Sequence, residues 1–139
     1  MALRGVQGVA QNPSCDPAEV AHVEQEIGRN PNNPGVGVID RRTGQVRLFP
    51  YDETDAFSQA NRHLQVAAGH EAVAAMAGIP ADEARGFVLG KHGGDWHIFN
   101  QSHLNHADAQ ANTMRMDPQL FNEVVSALQG AGVPNPVIH

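Results

Sequence analysis

The chain has 139 residues, a net charge of −6 with its histidines neutral, 41% apolar residues and 5% aromatic ones. That length suits one domain with a core large enough to fold without staples, and the single cysteine, Cys15, excludes an intramolecular disulfide. The acidic balance argues against general DNA binding. No apolar run approaches the roughly 20 residues of a membrane span, and the N-terminus lacks a signal-peptide core, so the chain reads as cytoplasmic.

Residues 1–14 show no periodicity and read as a flexible arm. Asp16-Pro17-Ala18-Glu19 then combines an N-cap, a first-turn proline and a glutamate at capping-box spacing. Val20, Val23 and Ile27 repeat on one face of the helix this predicts, and Gly28 is placed to end it. The run Asn30 to Gly35 is loop chemistry. VGVID and QVRLFP flank RRTG and predict a hairpin, followed by an acidic loop over Tyr51–Asp55.

From Asp55, the residues Phe57, Ala60, Leu64, Ala67, Ala68, Ala72 and Ala75 form a helical stripe, with Gly69 as a kink and Gly78-Ile79-Pro80 as its stop. GFVLGK and DWHIFNQ predict a second hairpin across His92-Gly93-Gly94, with Trp96 and Ile98 on one face and His97 and Phe99 on the other. Residues 103–116 read as a polar loop with one helical turn. Asp117-Pro118 repeats the cap-plus-proline signal ahead of Leu120, Phe121, Val124, Val125 and Leu128, and the tail after Gly130 is not helical.

The resulting order is α-ββ-α-ββ-α. It predicts an α+β domain over residues 15–130, built as a four-stranded, mainly antiparallel sheet with helices packed on one face, and a tail over 131–139. Eight arginines against one lysine in an Ala- and Gly-rich chain read as the codon bias of a GC-rich bacterial genome.

Candidate chemistry concentrates on histidine. Residues 91–108, KHGGDWHIFNQSHLNHAD, hold four of the eight histidines. His97 lies on the sheet face away from Trp96, where an imidazole can exchange protons near neutral pH. Glu71 falls inside the apolar stripe beside His70, and misplaced polarity of that kind points to function; a break at Gly69 would instead put Glu71 in the first turn of a new helix, where it only complements the helix dipole. His63 stands on the flank of the same helix, able to line the same groove.

His97, His70 and Glu71, with Arg85 or Arg47 as the cation, are therefore the expected catalytic set of a histidine acid–base hydrolase or phosphodiesterase without a cofactor. As an alternative, His103, His106 and Asp108 have the residue types and spacing to hold zinc or another divalent metal. A different class of function is a non-enzymatic binding, immunity-type or assembly module, with Phe99 central to an open sheet face that docks a protein partner or a second copy. Ser102 and Asn105 flank His103 as turn residues or as donors to a substrate oxygen.

Overall fold

In a computed structural model that describes residues 12–108 and 113–139, strand alternation sorts the apolar side chains onto two faces of one sheet. The strands are β1 (Ser14–Cys15), β2 (Gly35–Asp40), β3 (Gln45–Pro50), β4 (Ala84–His92), β5 (Asp95–Phe99) and β6 (Val137–Ile138), in the spatial order β1-β3-β2-β4-β5-β6. The four central strands pair antiparallel, while β1 joins β3 and β6 joins β5 in parallel.

The sheet is therefore six-stranded and mixed, and curls into a half-barrel, where four mainly antiparallel strands were expected. The two hairpins were legible in sequence. The two edge strands were not, because each is two residues long and lies in a segment with no periodicity of its own. Ser14 belongs to β1 and not to an arm, and residues 1–11 of that expected arm lie outside the described residues.

Among the described residues four α-helices accompany the sheet: α1 (Pro17–Arg29), α2 (Tyr51–Ala60), α3 (His70–Ala77) and α4 (Pro118–Gly130). They do not share one face. Val20, Val23 and Ile27 of α1 and Leu120, Phe121, Val124 and Leu128 of α4 pack with Ile39, Val46, Leu48, Phe87, Leu89, Trp96 and Ile98 in the main core. Val36 and Val38, which alternate with Ile39 along β2, face the other way and meet Val73 and Ala74 of α3. All six residues of β2 are buried, as expected for a central strand covered on both sides.

Close approach within the main core depends on Gly37. A methyl group there would stand 2.1 Å from Phe87 Cζ, so the phenyl ring occupies the volume a side chain would take.

The helix ends follow local chemistry. Asp16 accepts from Ala18 N at the start of α1, and Asp117 accepts from Gln119 N and Leu120 N at the start of α4. Glu19 does not close the expected capping box. Its carboxylate accepts from Leu48 N at 3.0 Å and from Arg47 Nε at 2.9 Å, covering the edge of β3 beyond the point where β1 stops. The acidic stretch from Tyr51 is helical rather than a loop. The single kinked helix expected from Asp55 is two helices, separated by a 3₁₀ turn at Arg62–Leu64 and a turn ending at Gly69.

Candidate functional site

Gly69, at φ +95°, ends the connection from α2 and starts α3, and it brings His70 into the first helical turn. The ring of His70 crosses to β4, where Nε2 donates to Phe87 O at 2.7 Å. Gly86 makes room for it: a Cβ at that position would lie 2.6 Å from His70 Cδ2 and 2.6 Å from Ser102 Oγ. The Nε2–Cδ2 edge of the imidazole is therefore seated against β4. Nδ1 is the ring vertex opposite that edge. It has no hydrogen-bond partner among the described residues and is not sealed from solvent.

His70 is half-buried by surface, and the packing of its ring lowers its pKa below the ordinary 6.5, with the neighbouring His103 acting in the same direction against the Phe87 carbonyl. It is a neutral imidazole near pH 7, with its proton on Nε2 and its lone pair on Nδ1.

A hollow of about 290 Å³ opens beside this ring. Pro34, Val36, Val88 and Leu104 give it apolar lining. Tyr51, Ala67, Ala68, Glu71, Ser102 and His103 line it as well. Tyr51 is 44% exposed, so an aromatic ring stands at the mouth.

The segment bearing Ser102, His103 and Leu104 is held by two buried asparagines. Asn105 Oδ1 accepts from Gly86 N at 2.8 Å and its Nδ2 donates to Gly86 O at 2.9 Å. β5 pairs with β4 only from Val88 onward, so the amide side chain replaces the strand that β4 lacks at Gly86. Asn100 makes the corresponding pair of bonds with Met116, accepting from its N at 2.8 Å and donating to its O at 3.4 Å. Ser102 caps the 3₁₀ turn His103–Ala107 by accepting from Leu104 N.

The expected catalytic residues do not converge. His70 and Glu71 line the hollow; His97 and Arg85 do not. Glu71 is exposed in the first turn of α3, where its carboxylate accepts from Ala67 N at 3.2 Å, so its place in an apolar stripe disappears once the helix breaks at Gly69. Arg85 shares its face of β4 with Phe87 and Leu89, opposite to Gly86 and Val88, and is 2% exposed. Its Nε lies 2.9 Å from Asp108 Oδ2, an ion contact in which the N–H is not aimed at the oxygen, and its Nη1 donates to the carbonyls of Asp82 and Ala84. Arg47 is held by Glu19. His63 lies in the 3₁₀ turn, exposed and outside the lining.

His97 lies on the same face of the sheet as His70, two strands' width from β2, in a separate group. Its Nδ1 is 2.8 Å from His139 Nε2, and its ring meets those of His92, Phe99 and His139. His103, His106 and Asp108 all belong to the 3₁₀ turn or its end, but Asp108 is committed to Arg85. Among the described residues no group of three metal-ligating side chains is arranged to hold an ion.

Sequence reasoning missed Tyr51, the part of His103 beside His70, and the anchoring role of Asn105. One signal was present: an isolated glycine inside a strand pattern, Gly86 in RGFVLG, marks a close approach of another group to the backbone. Among the described residues no helix is long and apolar enough to cross a membrane. The chain matches no known protein-family model, no curated protein and no solved structure.

Proposed function

We propose that the hollow beside His70 is the active site of a small histidine acid–base hydrolase. The observation that carries this reading is the fixed tautomer of His70. Its Nε2–H is committed to Phe87 O, which leaves Nδ1 as an unpartnered acceptor beside an apolar hollow. Burial keeps that ring neutral, the form a general base requires. In the step proposed, Nδ1 takes a proton from a water as its oxygen attacks the substrate, and the resulting Nδ1–H then gives that proton to the leaving group, with His103 lining the same hollow. No hydrogen bond joins His70 to Ser102, whose Oγ accepts from Leu104 N, so Ser102 is not activated as a nucleophile by this ring. Phosphodiester cleavage is the less favoured form of the reaction, because Arg85 and Arg47 are both engaged elsewhere and neither lines the hollow.

The test is a panel of chromogenic ester, amide and phosphodiester substrates with the wild type, His70→Ala and His103→Ala. Turnover of one class that falls by about 10²–10⁴-fold in His70→Ala supports the reading. Absence of turnover, or turnover indifferent to His70, overturns it.

A second reading, a module that docks a protein partner or a second copy, is favoured by Val137 and Ile138. These are 41% and 49% exposed on the edge strand β6, where unpaired backbone groups and apolar side chains coincide. Light scattering across a concentration series, with Ile138→Lys as control, separates a self-associating chain from a monomer.

A further inference from the structure

The chemistry of the hollow narrows what it can take, given the acid–base reading of His70 on which this inference rests. With Nε2–H bound to Phe87 O, Nδ1 presents a lone pair, and that vertex points away from the strand seating the ring. A ligand meeting it must therefore bring a donor. An anionic oxygen would set a negative charge against that lone pair.

The rest of the lining agrees. Among the described residues no lysine or arginine lines it, and the one carboxylate that does, Glu71, is exposed. Val36, Val88 and Leu104 offer apolar contact, and Tyr51 an aromatic side. The volume of about 290 Å³ stands at the bottom of the about 300–1,000 Å³ typical of ligand sites, which suits a single ring rather than a nucleotide or a peptide.

We propose that the hollow binds an uncharged, ring-sized small molecule that presents an O–H or N–H donor to Nδ1 of His70, and that it rejects phosphate and carboxylate anions. Affinity comes from the apolar walls, and orientation from one hydrogen bond whose acceptor is fixed before the ligand arrives. A ligand of equal size that lacks the donor leaves the Nδ1 acceptor unmatched against the ligand, and this discriminates between the two.

The experiment uses the full ¹⁵N-labelled chain, with the ring nitrogens of His70 followed by NMR and those of the other histidines as internal controls. The probes are phenol, toluene, benzoate and inorganic phosphate. Phenol is expected to bind at least tenfold more tightly than toluene and to shift His70 Nδ1, while benzoate and phosphate leave that resonance in place. His70→Leu is expected to bring phenol down to the affinity of toluene. Ala68→Leu fills the hollow without touching the bond from His70 to Phe87; it is expected to abolish phenol binding, and it keeps the test decisive if His70→Leu does not fold.

Equal binding of toluene and phenol by the wild type overturns the proposal, as does a larger His70 response to phosphate or benzoate, or phenol binding that survives Ala68→Leu. Selective phenol binding with no turnover of any substrate removes the hydrolase reading alone. Turnover of an anionic substrate that depends on His70, without phenol binding, removes the ligand assignment alone.

Discussion

Asn105 pairs with the backbone of Gly86 at both ends of its amide, accepting from N at 2.8 Å and donating to O at 2.9 Å. Because Asn105 is fully buried, these bonds form away from water, and they tie the turn bearing His103 and Leu104 to the strand on which His70 rests. Asn105→Ala leaves a buried N–H and a buried C=O without partners, at about 1–3 kcal/mol each. The expected outcome is a loss of about 2–5 kcal/mol in urea unfolding, together with large amide shifts over residues 102–104. An unchanged midpoint would mean that the turn is held by something other than Asn105.

Gly86→Ala acts on the site more than on the core. The added methyl would stand 2.6 Å from both His70 Cδ2 and Ser102 Oγ, so one of those side chains must leave its place. Loss of the bond from His70 to Phe87 frees the tautomer, and the His70 ring nitrogens should then show averaged ¹⁵N shifts in place of one protonated and one bare nitrogen. A spectrum identical to wild type would refute the seating of the ring on Gly86.

Gly37→Ala is the matching experiment on the opposite face. The methyl group would meet the Phe87 ring at 2.1 Å in a region with no exposed surface, and a central strand has little room to yield. Thermal or urea unfolding should show destabilisation of about 3 kcal/mol, the upper end of overpacking. Gly37→Ala combined with Phe87→Leu should recover part of it, since the shorter side chain vacates that volume.

Two histidines give the stability profile opposite slopes. The folded-state pKa of His70 is lowered, chiefly by burial, so the unfolded chain binds the proton first. Stability therefore falls as pH drops through 6.5, and goes on falling until the folded form titrates as well. The pKa of His22 is raised, first by its hydrogen bond to the Glu53 carboxylate. Its contribution is complete below 6.5 and fades as pH rises through the folded value. Because this pair is exposed, its effect is small and screened by salt. Denaturant midpoints from about pH 5 to about pH 9 for the wild type, His70→Gln and His22→Gln check both signs. His70→Gln should flatten the acid side, and His22→Gln the neutral side.

His97→Ala tests whether the second imidazole group serves only to hold the tail. His97 contacts His139, whose N–H donates to Ile98 O at 2.9 Å. The variant should lose less than about 1 kcal/mol, as surface substitutions do, yet exchange the His139 amide faster. A loss of phenol binding at His70 in this variant would show that the two groups communicate.

Much of the architecture was legible along the chain, for local reasons. Asp16-Pro17 and Asp117-Pro118 mark their helices because a cap and a fixed φ act within one turn. The two hairpins declare themselves by alternation around glycine turns, and Trp96 and Ile98 against His97 and Phe99 could be assigned to faces by parity alone. Gly69 could be seen as an interruption, but whether the helix bends or ends there depends on what α3 packs against, and that decided the standing of Glu71.

The amino-acid sequence by itself determined where α1, α4 and the central strands form and which side chains are apolar enough to be buried, since those follow from propensity and period. Only the tertiary structure decided that Arg85 turns into an ion contact behind the sheet while His70 crosses to the carbonyl of Phe87. It likewise decided that two-residue segments complete the sheet and that Asn105 stands in for a missing strand. Each of these joins residues far apart in the chain through a single directional contact, and a contact of that kind leaves no periodic trace in the order of residues.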